Sequence, residues 1–109
     1  MANTNGVQYG FGQYGSIHVR GTDAVSMVLG NRVFVAIQFL EDTKFNTGAA
    51  GLTPADAQLF PSSETGVSSD ISANGVTTDN EVFPKGVTIY GRWTGFQLAS
   101  GGVIAYIGA

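Results

Sequence analysis

The chain has 109 residues and a mass of 11.3 kDa, which is the size of one domain. Only 12% of its residues are charged, its net charge is −3, and it contains no cysteine. These values exclude a disordered charged tail, a basic surface for nucleic acid, and disulfide or thiol chemistry. The 11 valines and 6 isoleucines outnumber the 5 leucines and accompany 16 glycines, which favours strands and turns.

The low charge also bears on the surface of the protein. A small domain with few charges is poorly protected against association. We therefore expect other copies of the chain, or a partner protein, to cover part of this surface.

The first residues of the chain place Tyr9, Phe11 and Tyr14 between glycines. Glycine makes such a segment flexible and aromatic rings give it contact area, which predicts an N-terminal arm over residues 1–15 that orders against a neighbouring subunit. The alternative is a poorly ordered terminus. The segment does not have the pattern of a signal peptide, and no apolar run in the chain approaches the length of a membrane span, so we expect neither secretion nor membrane insertion.

Three strands are predicted in the first half of the domain. Ile17 and Val19 alternate with polar residues, which predicts a half-buried strand over residues 16–20. A second strand is predicted over residues 24–29, and a Gly-Asn turn follows it. Residues 32–40 are largely apolar on both faces, which is typical of a strand in the centre of a sandwich.

The middle of the chain is less regular. Thr53 as N-cap and Pro54 at the first helical position permit one short helical turn through Leu59, which Pro61 would end. Residues 67–80 are mostly Ser, Thr, Asn and Asp, which indicates one or two short edge strands or an ordered loop.

Residues 87–94 alternate between two faces of a predicted strand. Trp93 shares the face of the apolar residues, and we interpret it as a core tryptophan. Tyr90 and Arg92 lie on the opposite face and are candidate surface contacts. Gly91 and Gly95 indicate a bulge or a close approach of the backbone.

Two apolar runs flank Gly101 and Gly102, and this pattern predicts a β-hairpin. The turn signals along the chain predict seven or eight strands in total. We therefore expect residues 16–109 to form a single all-β domain, either a β-sandwich or a jelly-roll-like barrel.

Residues that could perform catalysis are sparse. The only histidine, His18, alternates with apolar neighbours and is interpreted as an exposed strand residue rather than a base. Glu41 and Asp42 are adjacent, so in a strand they would point to opposite faces. No nucleophile motif or phosphate-binding loop is present, and we expect neither an enzyme nor a cofactor.

One spacing matches a twelve-residue calcium loop. Asp70, Ser72 and Asn74, followed by Glu81, could supply oxygen ligands, with Gly75 at the sharp turn. Such a loop lies between two helices, whereas prolines flank this one, and the residues are typical of a polar turn region. We therefore expect no bound metal, and following thermal unfolding during a calcium titration tests that expectation.

Residues 83–106 read FPKGVTIYGRWTGFQLASGGVIAY, and residues 39–45 read FLEDTKF. Both segments resemble parts of small structural proteins of tailed phages, especially those of marine phages. They contain no catalytic signature, and residues 46–80 do not share the resemblance. The resemblance implies a virion component made in the host cytoplasm: a capsid decoration (cement) protein, or a small domain of a head fibre or tail.

Two functions are therefore expected. The first is a non-enzymatic virion protein that binds the major capsid protein, or another virion protein, as a homo-oligomer. A trimer is expected, with Tyr9, Phe11, Tyr14 and exposed strand edges as contacts. The second is a carbohydrate- or receptor-recognition module that uses Tyr90 and Arg92. Neither function involves nucleic acid or a membrane.

Overall fold

The computed structural model describes residues 14–48, 51–56, 59–66 and 75–109. This part of the chain is all-β and has no α-helix, which confirms the predicted all-β class. Its strands are β1 (Ser16–Arg20), β2 (Val25–Ser26), β3 (Val33–Phe39), β4 (Lys44–Phe45), β5 (Leu52–Pro54), β6 (Thr88–Phe96), β7 (Leu98–Ser100) and β8 (Gly102–Gly108).

Six of the strands form one antiparallel sheet, in the order β1-β8-β3-β6-β2, and β5 also pairs with β6. The two short strands β2 and β5 both pair with Phe96, so they flank the C-terminal end of β6. The predicted central strand is confirmed, because β3 lies between β8 and β6 and most of its side chains are buried. Apolar side chains on both faces suit β3 to this position.

The sheet curls into a half-barrel, and extra residues in successive strands explain the curl. Ala36 of β3 pairs with Tyr106 and Tyr90, and Phe34 pairs with Ile107 and Trp93. Between these two sets of paired residues, β8 advances by one residue, β3 by two and β6 by three. Extra residues of this kind bend a strand and increase its twist. The bulge predicted near Gly91 therefore lies within the bend.

The inner face of the half-barrel holds the hydrophobic core. Three phenylalanines join the large sheet to the segments that cover it. The ring of Phe39 stacks on that of Phe83 at a centroid distance of 4.8 Å, and Phe45 meets both rings edge-on. Phe45 belongs to β4, which pairs with β7 in a separate two-stranded sheet. The small sheet is thus anchored through aromatic contacts.

The C-terminal hairpin predicted from the two glycines is wrong. Strand β7 pairs with β4, whereas β8 pairs with β1 and β3. Gly101, with φ of +98°, turns the chain from the small sheet into the large one. Thr43 is fully buried beside this corner, where its Oγ1 accepts a hydrogen bond from the Gly102 N–H at 3.3 Å. The turn is therefore present as predicted, but it connects two sheets.

The predicted helical turn from Thr53 is also wrong, because Thr53 and Pro54 lie in β5. Further along the chain, the N–H groups of Leu59 and Phe60 both donate to the Asp56 carbonyl. Backbone pairing with β6 outweighs the weak helical signal of this segment.

A buried serine organises the loops beside β5, and the sequence had given no sign of it. Ser63 is 1% exposed, its Oγ accepts a hydrogen bond from the Leu52 N–H at 3.1 Å, and it donates to the Gly48 carbonyl. A side chain at Gly51 would collide with the Asn46 carbonyl and the Ser63 hydroxyl. The loop therefore closes around a glycine and a hydroxyl rather than an apolar contact.

Strand β1 agrees with its predicted bounds, but the second predicted strand is shortened to β2. Val28 and Leu29, which were predicted to extend that strand, are 89% and 52% exposed. Within β1, Val19 is buried as predicted, whereas Ile17 is 37% exposed.

Candidate interaction surface

The outer face of the six-stranded sheet carries the sequence-predicted contact residues of β6. Register places Ser16, Tyr106, Ala36 and Tyr90 in one row across four strands. Directly opposed residues of neighbouring strands point to the same face. We call the part of this row formed by Tyr106, Ala36 and Tyr90 the tyrosine row.

The tyrosine row consists of a buried alanine with a tyrosine on each side. Ala36 is 2% exposed between its two tyrosine neighbours, whereas Tyr90 is 64% exposed. The Tyr106 hydroxyl donates a hydrogen bond to Gln38 Oε1 at 3.2 Å. Tyrosine offers a large rigid contact area with one polar group, and exposed tyrosines of this kind are typical of interfaces.

Arg92 lies on the same strand as Tyr90 and is exposed, as predicted. Its Nη1 donates to the main-chain carbonyl oxygen of Ala109 at 2.7 Å, so the guanidinium is held at the end of β8. A guanidinium has further N–H groups that can bind a partner. The structure thus confirms that Tyr90 and Arg92 face away from the core.

Trp93 has the core position that alternation predicted. It is 1% exposed, and its Nε1 donates to the Pro61 carbonyl at 3.0 Å. A Cβ added at Gly91 would lie 2.6 Å from the Trp93 ring, so the space beside this glycine is filled by the indole. The glycine lets the indole lie flat along its own strand.

Tyr14 is described, whereas Tyr9 and Phe11 lie outside the described residues. Tyr14 is 47% exposed, and the guanidinium carbon of Arg32 lies 4.1 Å from its ring centroid. This cation–π pair lies beside the first residues of β3. Sequence analysis did not single out Arg32, because its partner is distant along the chain.

The calcium-loop pattern falls mostly outside the described part, because Asp70, Ser72 and Asn74 are not described. Glu81 is exposed, and its N–H donates to the Thr78 carbonyl. Among the described residues, no group of three or more acidic, histidine or cysteine side chains is placed to hold a metal.

Three charged side chains, those of Arg20, Glu41 and Asp42, have partners in the described part of the chain. Arg20 forms an exposed ion pair with Glu41. Asp42 Oδ1 accepts a hydrogen bond from the Lys85 N–H at 3.0 Å. No pocket is found in the described part of the chain, and no helix there is long and apolar enough to cross a membrane.

Tyr106 and Gln38 are surface residues that were not predicted from the sequence. Residues 103–107 had been read only as an apolar run. The signal that could have identified them is alternation along β8, where Ala105 is buried between more exposed neighbours.

The chain was compared with known protein families, with curated proteins and with solved structures, and it matched none of them.

Proposed function

We propose that the chain is a non-enzymatic structural protein of a phage virion. In this proposal it decorates the capsid, where it binds the major capsid protein or another virion protein as a homo-oligomer. It is made in the host cytoplasm and ends in the particle. The small sheet and the half-barrel would together form the sandwich- or jelly-roll-like body expected from the sequence.

The observation that carries this proposal is the tyrosine row. It presents two aromatic side chains over a buried alanine, on an open sheet face with Arg92 nearby. A broad face of this kind suits contact with another protein surface better than enclosure of a small substrate. On a capsid, many weak contacts of the same kind add up through avidity.

Purified capsids that lack the chain provide the test. Wild-type protein is expected to bind to saturation with a stoichiometry set by the lattice. Tyr90→Ala and Arg92→Gln are expected to weaken binding by at least about tenfold, as loss of a central contact does. Lys85→Gln is the matched control for Arg92→Gln, because it also removes an exposed positive charge but lies before β6.

The N-terminal residues are tested in the same assay. Deleting residues 1–13 leaves Tyr14 and its Arg32 contact in place. If the arm contributes to assembly, the deleted form binds capsids or other copies more weakly. Equal binding and equal assembly would remove the arm from the proposal and leave the tyrosine row as its basis.

A carbohydrate-recognition module of a fibre or tail is the second candidate. Exposed Tyr90 lies on the same face as Arg92, and Gln38 and Tyr106 supply further polar groups. Sugars bind aromatic faces flanked by such groups. A panel of host-surface glycans distinguishes the candidates, because a glycan signal lost in Tyr90→Ala would favour this function over capsid decoration.

A further inference from the structure

Strand β1 has one edge that pairs with β8 and one edge that pairs with no described strand. All five of its residues pair with β8, in an unbroken register. It is the terminal strand of the large sheet on this side. Which main-chain groups point outward is fixed by the hydrogen-bond pattern of the pair.

The Ile107 N–H donates to the Gly15 carbonyl at 2.8 Å, immediately beyond the first pair of β1 and β8. In an antiparallel ladder, hydrogen-bonded and non-hydrogen-bonded pairs alternate. Ile17 and Val19 therefore direct their N–H and C=O groups to β8, as Gly15 does.

Ser16, His18 and Arg20 consequently direct their main-chain groups to the open edge. No hydrogen bond to these groups is found among the described residues. Strand β1 contains no proline, no lysine and no bulge, and its charged side chain Arg20 is paired with Glu41 of the same molecule.

We infer that two copies of the chain pair antiparallel through β1, on a two-fold axis at His18. In this register His18 faces His18 of the second copy, and Ser16 faces Arg20 on both sides. Each of these pairs can exchange two hydrogen bonds, so all the edge-directed N–H and C=O groups of both strands are satisfied. The two half-barrel sheets become continuous.

The side chains of β1 are compatible with this register. Ile17 lies opposite Val19 of the second copy, on the inner face, where the partly exposed Ile17 gains an apolar neighbour. Such pairs are non-hydrogen-bonded, so their side chains approach closely. On the outer face Arg20 meets a serine, and like charges do not oppose one another. A shift of this register by one residue would place the inner face of one copy beside the outer face of the other.

This inference rests on the proposed function for the premise that the chain self-associates. A two-fold contact produces a dimer, whereas the expected trimer would require two different surfaces to meet. A contact centred on one short strand is small, so we expect a weak dimer with a Kd of about micromolar order or above.

Substitutions at His18 test the two-fold axis. His18 is exposed, so replacing it should leave folding intact. His18→Lys and His18→Glu each place two like charges face to face, and each should weaken the dimer by at least about tenfold. An equimolar mixture of the two variants should regain dimer, because lysine then faces glutamate. Sedimentation velocity over a concentration series measures the wild type, the two variants and their mixture, and thermal unfolding confirms that each variant is folded.

Ser26→Lys is the control, because Ser26 is exposed on β2 at the other side of the sheet. It should leave the dimer unchanged, and a loss equal to that of His18→Lys would indicate a head-to-tail contact and overturn the inference. A wild-type monomer at all concentrations, a trimer, or failure of the mixture to recover would overturn it as well. Capsid binding by His18→Lys, measured separately, shows whether the proposed function survives without the β1 contact.

Discussion

The two faces of β6 carry aromatic residues in opposite circumstances. Trp93 is 1% exposed and donates its indole N–H to a loop carbonyl, whereas Tyr90, three residues earlier, is 64% exposed. The inner aromatic group fills the core, and we expect the outer one to contribute little to the free energy of unfolding. The difference teaches that aromatic content alone does not separate core from contact surface, and that position on the pleat does.

Removing the inner aromatic group should have the largest effect. Trp93→Ala is expected to lower the free energy of unfolding by about 3–5 kcal/mol, because it leaves a cavity and an unpaired Pro61 carbonyl. Urea denaturation measures the change. A loss below about 0.5 kcal/mol, the range of surface substitutions, would contradict a core role for Trp93.

Filling the space beneath the indole should have the next largest effect. Gly91→Ala places a methyl group 2.6 Å from the Trp93 ring and is expected to cost about 1–3 kcal/mol by overpacking. Gly30→Ala is the matched control, because a Cβ there meets nothing within 4 Å. Equal unfolding midpoints for the two variants would show that the indole is not held against β6.

The hydroxyl of Tyr106 should matter less. Tyr106→Phe removes the hydrogen bond to Gln38 while keeping the ring, and about 0.5–1.5 kcal/mol should be lost. Thermal unfolding measures this change. An unchanged melting temperature would mean that Gln38 is equally well satisfied by water.

Truncating the outer aromatic group should have the smallest effect on stability. Tyr90→Ala is expected to cost less than about 1 kcal/mol, the range of a cross-strand pair on an exposed face. Its capsid binding should fall much more, as proposed above. A large loss of stability would instead place Tyr90 with Trp93 as a structural residue.

Alternation and turn signals predicted the parts of this fold that depend on local pattern. The bounds of β1 and the opposite orientations of Tyr90 and Trp93 follow from which residues alternate, and the central place of β3 follows from apolar residues on both of its faces. The same reasoning failed at Gly101, where the turn is present but the strands on either side pair elsewhere. Turn chemistry fixes a change of direction, whereas pairing depends on distant strands.

The candidate surface was predicted only in part for the same reason. Tyr90 and Arg92 could be placed on one face of one strand. Tyr106 lies in the same row as Tyr90 because β3 pairs with β8 on one side and with β6 on the other. This strand order is not visible in the sequence. Likewise, the Ser63 hydroxyl bonds to residues 11 and 15 positions away, and no local pattern marks it.

Hydroxyl-radical footprinting of free and capsid-bound protein tests most directly whether the outer sheet face is the contact surface. The account predicts that Tyr90 is oxidised in the free protein and protected on the capsid. Leu29, which is 52% exposed at the β2–β3 connection, should be oxidised equally in both. Equal oxidation of Tyr90 in the free and bound states would contradict the assignment of this face to binding.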